Sequence, residues 1–463
     1  PLALNTAMHD MMCGACISLN LCPLLSQGQI EALEHHATEE LQNLYLPKLI
    51  SGEWTGTMNL TEPQAGSDVG ALTSKAELQA DGTYKISGQK IFITWGEHDV
   101  AENICHLVLA RLPDGKPGPK GISLFLVPKF IPNADGSLGV RNDLRCVSLE
   151  HKLGIHGSPT AVMEFSGATG WLVGQEHNGM ACMFTMMNNA RLAVGMQGVG
   201  VAEGAYQHAL AYAMDRKQGR AMIADGTGAI IDHADVRRML AQMKSEIFAA
   251  RAIGVACAVA IDMTKATGDA DWRARAALLT PITKSFGSDT GVAVADLGVQ
   301  IHGGMGFVEE TAAAQYLRDV RITPIYEGTN GIQAMDLVAR KMMDGGAAAF
   351  ALMDEMVTLA SASSSKLAVA VLASIVELRS TTEWLLTQEL NDRFAGAVAY
   401  QKAFARVLGG YFHLVAAMSG KGKRVRMATI YINSLLPEYM ALCAQARSGA
   451  GDLYALELDD FAA

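Results

Sequence analysis

Residues 83–95 read TYKISGQKIFITW. β-Branched and aromatic residues dominate the run, and an Asp-Gly pair precedes it. ICHLVLARL (104–112), GISLFLVPKF (121–130) and TAVMEFSG (160–167) share its texture. Short β-rich runs separated by Gly, Pro and Asp turns are the signature of an antiparallel sandwich or barrel. This reading places a central β-domain over residues 51–177.

On either side the texture is helical. Residues 1–50 read as helix, with acidic and apolar positions of EALEHHATEELQNLYLPKL (31–49) at helical spacing. From 178 to 345 the long runs RLAVGMQGVGVAEGAYQHALAYAMDRK and HADVRRMLAQMKSEIFAARAIGVACAVAIDM are apolar on more than one face. That pattern belongs inside a helical bundle. DGGAAAF (344–350) reads as a joint, followed by a further helical domain over 346–463. The fold class expected is multidomain α+β.

A chain of 463 residues, half of them hydrophobic, is large enough for several domains and excludes global disorder. A net charge of −10 gives no support for nucleic-acid binding. LAVAVLASIVEL (367–378) is too short for a membrane span and ends in Glu and Arg, so no span is expected. PLALNTAMHD lacks the basic n-region of a signal peptide. A cytoplasmic location is the expectation.

Three strings invite a functional reading. Cys13 and Cys16 form a CxxC in a stretch that reads as helix; no second ligand pair follows, so no metal is expected, and both thiols are read as buried. GVGVAEG (198–204) mimics a dinucleotide fingerprint but lies inside a helical run, where its glycines serve close helix packing. KGKRVR (421–426) reads as a solvated helix end.

ITPIYEGTNGIQ (322–333) carries one charged residue, Glu327, before a helix-like run. On spacing alone it is an ordinary residue of a helix's first turn. A carboxylate held in a dry pocket is also a general base, because burial raises its pKa toward neutral pH.

MNLTEPQAGSD (58–68), KISGQKIFITWG (85–96), HKLGIHGSPT (151–160), NNAR (188–191), DRKQGR (215–220), QIHGGMGF (300–307) and IYEGTNGIQ (325–333) together resemble the acyl-CoA dehydrogenase family in order and spacing. SGEWTGTMNLTEP, the KGISLFLVPKF insert and the last helical block are similar to its subgroup acting on 3-(methylthio)propionyl-CoA. The resemblance implies a partial N-terminal helical domain over 1–50, a β-domain, and a four-helix bundle carrying the base. It implies FAD-dependent α,β-dehydrogenation of a short acyl-CoA thioester, with Glu327 as the base. Rival functions are an acyl-CoA oxidase using oxygen and a non-catalytic family member.

The same resemblance implies site residues. Met58, Leu60, Thr61, Ser67, Phe92, Thr94 and Thr329 would line the flavin. Arg216, Gln218, Gln300 and Gly304 would hold the pyrophosphate and adenosine end of FAD from a neighbouring subunit. Ser67, Asn188, Arg191, Tyr326 and Gly328 would meet the substrate. Thr329 or Asn330 would cap the helix after Glu327. Implied partners are the acyl-CoA substrate, an electron-transfer flavoprotein, and a second copy of the chain in a dimer or dimer of dimers.

Overall fold

A computed structural model describes residues 1–462, the side chains of residues 188 and 189 excepted. Two compact units divide it: Cys16–Ala190, and Pro1–Ala15 together with Arg191–Ala463.

The division of the first helix has a local cause. α1 (Leu2–His36) is interrupted at Cys16, whose backbone is extended (φ −162°, ψ 96°). The CxxC stretch is therefore not helical throughout. Cys13 is buried but Cys16 is exposed, which corrects the expectation of two buried thiols. Among the described residues no group of three His, Cys, Asp or Glu could hold a metal ion.

In the unit Cys16–Ala190, α2 (Glu39–Ser51) starts at Thr38, whose hydroxyl accepts from the Leu41 N–H at 3.5 Å. The helix expected across 31–49 is thus two helices, broken at a Thr-Glu-Glu start that favours a new N-terminus. The strands are β1 (Trp54–Asn59), β2 (Lys75–Leu78), β3 (Tyr84–Thr94), β4 (Asn103–Arg111), β5 (Ile122–Pro128), β6 (Phe130–Pro132), β7 (Leu138–Arg141), β8 (Leu144–Leu149) and β9 (Thr160–Val173). Pairings β4-β2-β3-β9-β5 return to β4, so the sheet closes on itself. β8 joins β9, β6 pairs with β7, and β1 adds to β4.

Most of these pairings are antiparallel, as the texture predicts. β1 and β4 run parallel, from Trp54 opposite Asn103 to Asn59 opposite Val108, and so does the single β2–β4 contact. β4 is buried on both faces, which explains why ICHLVLA is apolar at every position but His106. Leu107 and Leu109 enter a core with Leu33, Tyr45, Trp54 and Leu126. Val108 and Ala110 enter a second core with Ile86, Phe125, Val127 and Phe165.

His106 lies fully buried on β4, its Nδ1 2.7 Å from the Thr57 hydroxyl. Burial, with Lys129 and His98 adding, pulls its pKa down to about 3. A histidine depressed in the folded state contributes stability above the unfolded value near 6.5, and that stability is lost as pH falls through the window down to about 3. Between pH 6.5 and 4 the loss should reach about 3 kcal/mol from this group. Urea melts across that window should flatten by one proton in His106→Gln. An unchanged slope would show that His106 does not titrate on unfolding.

The other unit is helical. From Arg191 it contains α3 (Gly179–Asp215), then α4 (Ala234–Thr267), α5 (Ala270–His302), α6 (Ala313–Val320) and α7 (Asn330–Val338). After Gly345 and Gly346, both with positive φ, come α8 (Ala347–Ser361), α9 (Lys366–Leu386), α10 (Leu390–Met418), α11 (Gly422–Ile430), α12 (Glu438–Ala446) and α13 (Gly451–Ala455). Helices before and after the joint share one core: Met243, Ile253 and Ile282 cluster with Ile375, Tyr400 and Leu408.

The glycines of GVGVAEG do pack helices closely. A Cβ on Gly198 would lie 2.2 Å from the Gly287 carbonyl of α5. One on Gly200 would lie 2.4 Å from the carbonyl of Asp10. Two helices, Leu2–His36 and Ala234–Thr267, are long and apolar enough to cross a membrane by length and composition. About half of each apolar window is buried within the protein, as in the core helices of a bundle. Lys421 to Arg426 are exposed, as expected of a solvated helix end.

Candidate active site

Tyr326 to Thr329 form a strained turn on the second unit. Glu327 has φ 55° and Gly328 φ 85°, so two successive residues are left-handed. That conformation is costly for a glutamate and is maintained only where surrounding contacts impose it. Here they do. Asn330 N–H donates to the Pro324 carbonyl at 3.1 Å. The buried Gln333 amide donates to the Glu327 carbonyl at 3.3 Å. A Cβ on Gly328 would meet that Gln333 nitrogen at 2.7 Å, so glycine is required twice over.

Thr329 caps α7, its hydroxyl accepting from the Ile332 N–H at 3.3 Å. The alternative cap, Asn330, is turned elsewhere. Its amide nitrogen donates to Asp289 at 2.7 Å, and its oxygen accepts from the Lys284 ammonium at 2.8 Å.

Glu327 is partly buried. Burial pushes its carboxyl up from the ordinary glutamate value, while the charges of Arg191 and Lys284 pull it back. Arg191 is itself buried; burial lowers its pKa, opposed by Asp336 and Glu327. The Tyr326 hydroxyl donates to the Gln197 side chain. Burial and then the neighbouring Cys13 and Glu327 raise the phenol well above its usual value, so it stays neutral. The turn thus presents one carboxylate with a raised proton affinity, acted on by the charges of two buried cations.

In the β-rich unit, the segments holding Met58, Leu60 and Thr61 and holding Phe92 and Thr94 are fastened together. The Ile91 N–H donates to the Thr61 carbonyl at 3.0 Å. The Lys90 ammonium donates to the Leu60 carbonyl at 3.1 Å and to Glu62 at 2.8 Å. Both ions of this pair are buried, at 0% and 2% exposure. Glu62 also accepts from the N–H and hydroxyl groups of Thr73 and Ser74. Burial would raise its pKa, but Lys90 and these bonds bring it down to about 2.

Between Lys90 and Ile93 the β3–β9 register shifts by one residue, a bulge. Phe92 lies in it with φ 59° and is 60% exposed. Bulges re-aim side chains beside functional sites. Thr61 and Thr94 are half-buried, and neither hydroxyl has a hydrogen-bond partner among the described residues. Met58 is half-buried, Leu60 buried and Ser67 exposed.

Arg216 and Gln218 follow the end of α3, and Gln300 and Gly304 lie at the end of α5; all four are exposed. These helix ends are neighbours, since Tyr212 stacks on His302 at 4.3 Å. The side chain of Asn188 lies outside the described residues. Sequence reasoning missed Glu62, Lys90, Lys284 and Gln333. The signal for Lys90 was a charge at the head of the apolar run IFI; Lys284, in TPITKSF, had none.

Residues 57–168 match the middle domain of acyl-CoA dehydrogenases, 177–343 their C-terminal domain, and 349–457 an acetyl-CoA dehydrogenase C-terminal-like domain. The chain is 52% identical over 352 residues to a 3-methylmercaptopropionyl-CoA dehydrogenase of Ruegeria pomeroyi, covering 75% of this chain and 60% of that protein. It is 32% identical over 318 residues to an acyl-CoA dehydrogenase of Bacillus subtilis, covering 67% of this chain and 74% of that protein. Its fold resembles an acyl-CoA dehydrogenase complexed with FAD from Bacillus anthracis, with TM-score 0.72, 23% identity, and coverage of 92% of this chain and 73% of that one. The chain spans about 60% of the length of the first curated relatives it matches. With 32% identity across three quarters of the Bacillus subtilis protein, the chain belongs to the acyl-CoA dehydrogenase family.

Proposed function

We propose that the protein dehydrogenates a short acyl-CoA thioester across Cα–Cβ, with Glu327 as the base that takes the α proton. The observation that carries this reading is the Glu327 turn: a carboxylate on left-handed backbone, raised in proton affinity by burial and pulled back by the charges of Arg191 and Lys284. A base of this kind must be ionised at rest yet basic enough to accept a carbon-bound proton, and burial opposed by cations balances those needs. The positive φ of Glu327 and Gly328 leaves the backbone N–H of Glu327 free to turn toward a thioester carbonyl, where it would stabilise the enolate.

FAD, when bound, supplies the acceptor for the β hydride. Thr61 and Thr94 fit such a group: two half-buried hydroxyls without partners stand on segments fastened by Lys90, beside the apolar face of Phe92. Met58, Leu60 and Ser67 of the same unit belong to that flavin-binding set in this proposal, and Thr329 is assigned to the flavin from its own unit. Arg216, Gln218, Gln300 and Gly304 hold the phosphate and adenosine end of a neighbouring copy's cofactor, so the working protein is a dimer or dimer of dimers. Asn188 and Arg191 contact the CoA arm. The substrate is 3-(methylthio)propionyl-CoA, a reading supported by the 52% identity to the Ruegeria pomeroyi enzyme. Electrons pass to an electron-transfer flavoprotein in the cytoplasm.

The test is a visible spectrum and a substrate series on the full-length protein. It should purify yellow, or gain flavin absorbance on adding FAD. Comparing kcat/KM for 3-(methylthio)propionyl-CoA, butyryl-CoA and octanoyl-CoA should rank the first highest. Slow reoxidation in air should separate it from an oxidase. A colourless protein that takes up no flavin would end the cofactor proposal, and a clear preference for octanoyl-CoA would end the substrate proposal.

A further inference from the structure

We propose that Lys284 is a positioning residue for Glu327: its buried ammonium, tethered through Asn330 to the start of α7, supplies a fixed positive charge that, beside that of Arg191, keeps the base ionised before substrate arrives. The proposal rests on the reading of Glu327 as the base.

Lys284 is fully buried on α5, in the stretch TPITKSF. A buried ammonium is costly unless something compensates it. Its ammonium donates to the Asn330 side-chain oxygen at 2.8 Å. Among the described residues no carboxylate lies within 4.0 Å of it. A structural lysine this deep would be expected to touch its counter-ion, as Lys90 touches Glu62.

The tether is rigid. The Asn330 nitrogen donates to Asp289 at 2.7 Å and to the Ser288 hydroxyl at 3.0 Å. The amide is therefore oriented with its oxygen toward Lys284, three residues beyond Glu327. The carboxylates that act on Lys284 through space are Asp289 and Glu327. Burial brings the ammonium down to about 8 and these two charges hold it up, so it is a cation at neutral pH.

The other charged groups around the turn are already matched. On α5, Asp289 has Lys402 of α10 at 3.8 Å and also feels Arg321. On α7, Asp336 is bonded to Arg340 and lies 3.8 Å from Lys341. Asp336 and Arg340 act on Arg191 of α3, whose charge also acts on Glu327. Tyr326 is held neutral by burial, with Cys13 on α1 adding to the effect. Glu327 thus has two cations acting on it, Arg191 and then Lys284, and Lys284 is the one bonded to Asn330, three residues along the same turn. Without Lys284, burial would dominate and leave more of Glu327 protonated at neutral pH.

The experiment compares wild type, Lys284→Met and Lys284→Arg in the FAD-loaded full-length protein. The Glu327 carboxyl is titrated by infrared difference against Glu327→Gln, without substrate. Its midpoint, and the acid limb of kcat/KM, should rise by about one pH unit in Lys284→Met. Lys284→Arg should restore both. Should Lys284→Met not fold, the coupling is read from the other side, because linkage is reciprocal. Nitrogen NMR of side-chain-labelled lysine should then show Lys284 titrating at lower pH in Glu327→Gln than in wild type. Unchanged midpoints in both titrations would overturn the proposal, even if stability falls. Full turnover in Glu327→Gln would instead overturn the base assignment, and the two titrations would still report whether Lys284 and Glu327 are coupled.

Discussion

Glu327→Gln should reduce the rate of flavin reduction by an acyl-CoA about 10²–10⁴-fold while leaving FAD content and acyl-CoA affinity close to wild type. The amide keeps the shape of the side chain and one acceptor oxygen, but it cannot take a proton from carbon. The Gln333 bond to the residue 327 carbonyl, the Thr329 cap and the Asn330 tether do not involve the carboxyl, so the turn should persist. The loss should fall on kcat and kcat/KM together, because proton removal occurs only in the transition state. Rapid-reaction measurement of flavin bleaching checks this. Bleaching at near wild-type rate would mean that another carboxylate is the base.

Lys90→Met should be the most destabilising single substitution in the β-rich unit, at about 3–5 kcal/mol. It leaves Glu62 buried, ionised and without its counter-charge, and it unfastens the Leu60 carbonyl. Replacing both ions, as Glu62→Leu with Lys90→Met, should cost less than the single change, because no uncompensated charge is left. FAD affinity should fall with Lys90→Met, since Thr61 is set by the same fastening. Denaturant melts of the two single variants and the double variant test it. A Lys90→Met protein within about 1 kcal/mol of wild type would show the pair to be inessential.

The β-domain was legible because its strands differ in texture from the helices around them. ICHLVLA is apolar at every position but His106, and the strand it forms is indeed buried on both faces. The parallel pairing of β1 with β4 was not legible, since strand direction is set by contacts some fifty residues apart in the chain. The break at Thr38 carried a readable cap that the helical spacing of the surrounding residues masked. The bulge at Phe92 had no glycine or asparagine to announce it.

The site divides in the same way. Glu327 stood out as the one charge in an uncharged turn. Its left-handed backbone did not, because it is imposed by Gln333 and Asn330 through tertiary contacts. Lys284 meets Asn330 across 46 residues of chain, a juxtaposition that no local pattern encodes.

The most direct test follows the substrate's α hydrogen. An acyl-CoA is incubated with the FAD-loaded full-length protein in deuterated water, and label at Cα is read by mass spectrometry. Wild type should introduce deuterium at Cα through the enolate, and Glu327→Gln should introduce none. Equal labelling by the two proteins, or flavin reduction by wild type with no exchangeable α hydrogen, would contradict Glu327 as the base.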